Sequence, residues 1–230
     1  MIAVSPYIKK LVGGIGCCLL LITATTAIAQ TEIIVGYINN HPVAQAELDR
    51  EISRHKSEVM NRLTQQYHLN DLSNFWSREF DGIKADDILK KTAWNALVSA
   101  KVQEQLFTGY GLWPYKNHKD FILNMEKVNA ERQEMKTKGQ VIYGPVLFTE
   151  QTFYEYKFSN AIIKLKDKLF PKPIAENLLL NHYEEMQKTV YTNTHYSFAE
   201  VRSRVETSFV DQAYNKLIAD KIKNAQTTIK

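Results

Sequence analysis

Only two cysteines occur among the 230 residues, Cys17 and Cys18, and both sit in an apolar N-terminal run. Beyond that run there is none, which excludes a disulfide framework, a cysteine zinc site and a thiol nucleophile from the rest of the chain. Glycine (9) and proline (6) are scarce. Long stretches of Ala, Leu, Glu, Lys and Gln at helical spacing take their place, and this predicts a mostly α fold. An excess of one charge is also missing. The 29 basic residues face 25 acidic ones, and without Lys9 and Lys10 the basic count falls to 27. That balance leaves no electrostatic footprint for nucleic acid.

Catalytic signatures are lacking too. The six histidines, His41, His55, His68, His118, His182 and His195, include no i, i+4 pair that would set two metal ligands on one helix face. The nearest cluster is His182 with Glu184 and Glu185, which a solvated helix face explains. No G-x-S-x-G elbow is present. The segment GYGLWPY lacks the third glycine and the Lys-Ser/Thr pair of a phosphate loop, and it follows a helical pattern instead of a strand. Asp86 and Asp87 point to different sides of a helix start, where Asp86 is expected to cap. No catalytic, cofactor-binding or metal-binding residue is assigned.

The first thirty residues form a unit of their own. Lys9 and Lys10 flank LVGGIGCCLLLITATTAIA, and the small residues Ala27 and Ala29 precede Gln30. This is the pattern of a secretory signal peptide over 1–29, cut before Gln30. Two alternatives stand beside it. Leu11 to Ala29 is close to the roughly 20 residues that a spanning helix needs, so the segment could remain as a membrane anchor. Cys17 could carry a lipid, although the preceding GIG matches lipid attachment poorly. Export implies a periplasmic location, and no second span follows. Residues 30–230 suffice to bury a core as one domain or two closely joined lobes.

That part opens with EIIVGYI, a β-branched strand ending at Asn39-Asn40, which tolerate a left-handed turn. One strand cannot stand alone, so a partner is expected near VYTNTHY or VIYGPVLF. Asn39, Asn40 and Pro42 then set the first helix, Ala44 to Tyr67, with Leu48, Ile52, Val59, Leu63 and Tyr67 as its core stripe. Residues 68–87 break the pattern. Further helices are expected from Asp86 to the GYG segment, from about Asn117 to Lys138 and from Thr149 to Leu169. A fifth runs from Ile174 to Lys188, and a last one begins at Ser197, where Ser197 and Glu200 form a capping box.

Aromatic residues are plentiful: Tyr110, Trp113 and Tyr115 in one loop, then Tyr143, Phe148, Phe153, Tyr154, Tyr156 and Phe158. Core packing accounts for many of them. Phe153, Tyr154, Tyr156 and Phe158 cannot all face one way on a helix, however. Tyr110, Trp113, Tyr115, Phe148, Tyr154 and Phe158 are therefore the candidates for contacting an extended polypeptide client.

The order of segments resembles the SurA/PrsA-type periplasmic and extracytoplasmic foldases. Four features carry the likeness: VGYINNHPV leading into AQAELDREI; the helix ILKKTAWNALVSAKVQEQLFTGYGL; NLLLNHYEEMQ; and the closing helix SFAEVRSRVETSFVDQAYNKLIADKIKNA. The resemblance implies a SurA-like helical chaperone module with a small β element, whose closing helix, 197–225, packs back on the early helices. Ala44 departs from the Ser or Thr that caps the family's first helix. A larger departure lies between Met186 and Ser197, where only about ten residues stand in place of a parvulin prolyl isomerase domain. The implied function is a non-catalytic, chaperone-like protein binding unfolded segments in the cell envelope. The alternatives are an isomerase-family enzyme with residual activity and an adaptor dedicated to one envelope partner.

Overall fold

The computed structural model describes residues 32–230 apart from Asn193 and His195; the expected signal peptide, with Ala27, Ala29 and Gln30, lies outside the described residues. Ile34–Ile38 forms β1, and Asn39 and Asn40 both take positive φ, 48° and 64°. Two such residues make the hairpin turn whose twist suits flanking strands. They reverse the chain into β2, His41–Ala44, where Pro42 lies on an outer strand of the sheet.

The third strand corrects the pairing expected from sequence. β1 lies between β2 and a C-terminal strand, β5 (Thr227–Ile229), antiparallel to both. Neither 141–148 nor the described part of 190–196 is a strand. Steric fit and a side-chain clamp select the tail instead. A Cβ on Gly36 would lie 2.3 Å from Thr228 O and 2.6 Å from Trp94 Cη2, so only glycine lets the tail and the indole close on β1. Asn39 N donates to Gln226 O at 2.8 Å, and Asn39 Oδ1 accepts from Gln226 N at 2.9 Å.

Helix α1 spans Gln45–Gln66. Ala44 offers no side-chain cap, and Glu47 compensates by accepting from Ala44 N at 2.9 Å. A 3-10 turn, Phe75–Ser77, and the hairpin of β3 (Glu79–Phe80) and β4 (Ile83–Lys84) then lead to α2, Ala85–Gly109. Lys84, not Asp86, occupies the N-cap of α2; Asp86 and Asp87 fall in its first turn, where carboxylates favour the helix dipole. Helix α3 spans His118–Thr137, with Asn117 accepting from Asp120 N at 2.9 Å. Helix α4 spans Glu150–Leu169 behind a Thr149 cap. Helices α5 (Glu176–Thr189) and α6 (Phe198–Lys223) follow, the latter starting at the Ser197 and Glu200 box.

Packing centres on α2, which touches α1, α4, α6 and β1. Ile38 and Val43 of the sheet meet Trp94, Leu97, Val98 and Val102. Val59 and Leu63 meet Phe75, Phe80, Ala85 and Leu89. An aromatic cluster joins Phe107 and Trp113 to Phe121, Phe153 and Tyr154. Leu179 and Met186 pack on Val201 and Val205 as a satellite between α5 and α6. Burying a side chain such as Leu97 or Phe107 contributes about 1.5–3 kcal/mol. Among the described residues no helix is long and apolar enough to cross a membrane.

Candidate functional site

The contact between α1 and α2 is unusual because charge is buried in it. Glu47, Arg50 and Glu51 lie on the inner face of α1, and Lys101 and Glu104 lie on the inner face of α2. Lys101 Nζ sits 2.5 Å from Glu47 Oε1 and 3.0 Å from Glu104 Oε2. The second Glu104 oxygen accepts from Tyr154 OH at 2.8 Å. Arg50 stacks its guanidinium on the Tyr154 ring, 3.8 Å from the centroid, and reaches Glu51 at 3.4 Å and Glu150 at 3.1 Å. Desolvating so many charges is tolerable because each finds an opposite partner.

At the mouth, His118 of α3 ties three pieces of chain together. Its Nε2 lies 3.0 Å from Glu150 Oε1 at the start of α4. Its Nδ1 lies 3.2 Å from Glu32 Oε1, an ion-pair contact without the alignment of a hydrogen bond. Burial disfavours the charged ring, but Glu150, with Glu47 and Glu32 beyond it, outweighs burial and raises the pKa above 6.5. Burial would lift Glu150, yet His118 and Arg50 hold it below its ordinary value. Burial also works against the Lys101 ammonium, and Glu104 and Glu47 overcome it, keeping its pKa above that of a free lysine. Tyr154 is pushed well above 10 by burial and then by Glu104, so it remains a neutral donor.

Glu47, Arg50, Lys101, Glu104, His118 and Tyr154 help wall a cleft of about 290 Å³. Trp113, Tyr115, Phe121 and Tyr154 supply an aromatic side, while Glu47, Arg50, Lys101 and Glu104 supply a charged one. Trp113 is the hub of the aromatic side: Tyr115 meets it edge-on at 5.0 Å, Tyr154 at 5.8 Å and Phe158 at 6.2 Å. Of the residues expected to contact a client, Trp113, Tyr115 and Tyr154 line this cleft, and Phe158 packs behind it. Tyr110 is exposed at the end of α2. Phe148 lies elsewhere, stacked on Tyr156 with centroids 5.7 Å apart.

Sequence reasoning missed the charged wall. A signal existed, since Lys101 and Glu104 interrupt the apolar face that carries Leu97, Ala100 and Phe107, and Glu47 and Glu51 share a face with Arg50 and Arg54. Among the described residues no group of His, Cys, Asp and Glu is arranged to hold a metal. His182 is buried, with Nε2 2.9 Å from Ser208 Oγ and its ring against Phe209. No protein-family model matches the chain, and no curated protein or solved structure matches it either.

Proposed function

We propose that the protein is a non-catalytic, chaperone-like binder of extended or unfolded polypeptide segments, exported to the cell envelope and akin to the SurA/PrsA-type foldases without their parvulin domain. The cleft carries this reading. Half-buried Tyr115, backed by the buried Trp113 and Phe121, gives the cleft an apolar lip for client side chains, and its ionised groups are tied to one another, which suits reception better than proton transfer or nucleophilic attack. Adaptable contacts of this kind favour breadth over tight affinity. The test is light scattering: residues 30–230 in stoichiometric excess should suppress aggregation of a chemically denatured client, and an unaltered trace would sink the proposal. A proline-limited refolding assay addresses the enzymatic alternative, because uncatalysed isomerisation takes about 10–100 s. Acceleration by catalytic amounts would establish an isomerase.

One observation favours the dedicated adaptor as a second reading. Much of the aromatic surplus is closed into the core, with Phe153, Tyr154, Trp113 and Phe121 all buried. Capture from an envelope fraction separates the two, a single stoichiometric partner marking the adaptor and many partners the holdase.

A further inference from the structure

Between the end of α3 and the cap of α4, residues 141–148 form neither helix nor strand. Among the described residues, their main chain makes no hydrogen bond to other main chain. One face of α3 holds them instead. Asn129 grips Phe148 with both ends of its amide: Nδ2 donates to Phe148 O at 2.9 Å, and Oδ1 accepts from Phe148 N at 2.7 Å. One turn further on, Arg132 Nε donates to Pro145 O at 2.9 Å, and Arg132 Nη2 donates to Tyr143 O and Pro145 O, each at 2.6 Å.

Every one of these hydrogen bonds is to main chain, so they place no demand on which side chains the held segment carries. Val141, Tyr143 and Leu147 point away, 71%, 87% and 58% exposed, while Ile142 and Val146 are half-buried. Phe148 is seated among aromatic rings, 5.4 Å from Phe153 and 5.7 Å from Tyr156, with the Arg132 guanidinium 4.9 Å from its ring centre. Asn129 and this aromatic seat fix the end of the segment beside Thr149, the cap of α4. The part before Phe148 can therefore lift from Arg132 without unwinding α4.

We propose that the α3 face centred on Arg132 is a docking surface for extended polypeptide, and that 141–147 is a strap which occupies it until a client displaces it. The proposal rests on the client-binding reading above, and its visible ground is the occupant itself: an irregular stretch of chain gripped through its carbonyls. Main-chain recognition of this kind supplies affinity without sequence preference. A tethered strap competes at high effective concentration, so apparent client affinity falls by the fraction of time that the surface is vacant.

The test replaces 141–147 with a Gly-Ser linker of equal length, keeping Phe148 and Thr149, with helical circular dichroism as the check on folding. The linker chain should bind a labelled peptide of sequence 140–147 in trans, and should bind a permanently unfolded client about tenfold more tightly than the unmodified chain. Arg132→Ala in the linker background should remove both gains. Equal affinities for the linker and unmodified chains, or gains that survive Arg132→Ala, would overturn the proposal. Limited chymotrypsin digestion of the unmodified chain gives a second readout. Client should hasten cleavage at Tyr143 and Leu147, and an unchanged or slower cut refutes displacement. If clients are held in solution while strap cleavage stays constant, the strap proposal fails alone. If the 140–147 peptide docks through Arg132 but no client gains affinity in the linker chain, the surface receives only its own strap and the proposal fails, while suppression of aggregation by the unmodified chain decides the holdase reading separately.

Discussion

Replacing Lys101 by Met keeps an unbranched side chain out to Cε and removes the one ammonium shared by Glu47 and Glu104. Both carboxylates are more than nine-tenths buried, and each keeps a single neutral donor, Ala44 N for Glu47 and Tyr154 OH for Glu104. Breaking a buried pair by removing one partner costs about 3–5 kcal/mol, and the residual donors place this case near the lower end. Against a total stability of about 5–15 kcal/mol, such a loss is large. Urea unfolding followed by circular dichroism reads it directly: with a slope of about 2 kcal/mol per molar, the midpoint should fall by about 1.5 M. A companion chain with Glu47→Gln, Lys101→Met and Glu104→Gln should recover most of the loss, because it strands no charge. A midpoint for Lys101→Met within about 0.3 M of the wild type would refute the idea that this lysine neutralises the α1 and α2 interface.

Three further perturbations bear on the same frame. Gly36→Ala forces a Cβ against Thr228 O and Trp94; it should cost about 1–3 kcal/mol and erase amide protection at Thr227–Ile229, whereas retained protection would show that the tail does not need the glycine. Tyr154→Phe removes a donor to Glu104 and should destabilise by about 1–2 kcal/mol, to be checked by thermal melting against Phe158→Leu as a packing control. His118 has a raised pKa, so its contribution is complete below its ordinary value of about 6.5 and is lost as pH rises through the raised folded value. Glu150 is depressed and acts in the opposite sense, contributing above its ordinary value and failing as pH falls through the lowered one. His118→Asn should therefore flatten the decline of melting temperature on the alkaline side of neutrality, and an identical slope would remove His118 from the clasp.

Elements with local signals were legible in the sequence. The α-helices announced themselves through period and caps: Asn117, Thr149 and Ser197 stand at the starts of α3, α4 and α6 as their side chains dictate. Asn39-Asn40 marked a left-handed turn for the same local reason, although the strand β2 that follows it in place of an immediate helix was not expected. The C-terminal partner of β1 was not legible, because the match of Gly36 to Thr228 and of Asn39 to Gln226 spans nearly the whole chain and leaves no periodic trace. The cleft was half legible. Trp113, Tyr115 and Tyr154 were marked by their aromatic surplus, whereas Lys101 and Glu104 read as ordinary helix surface until α1 brought Glu47 and Arg50 opposite them. Phe148 separated from the others because it belongs to the segment returning along α3, a placement fixed by Asn129 and not by any spacing.

Reception of extended polypeptide in the cleft is tested most directly by hydrogen exchange on residues 30–230 with and without a permanently unfolded client in excess. Docking against Trp113, Tyr115, Phe121 and Tyr154 should slow exchange in the 113–122 segment, while amides of α5, which stands apart from the cleft, keep their rates. Exchange that is the same everywhere with saturating client, or slowed only in α5 and α6, would contradict it.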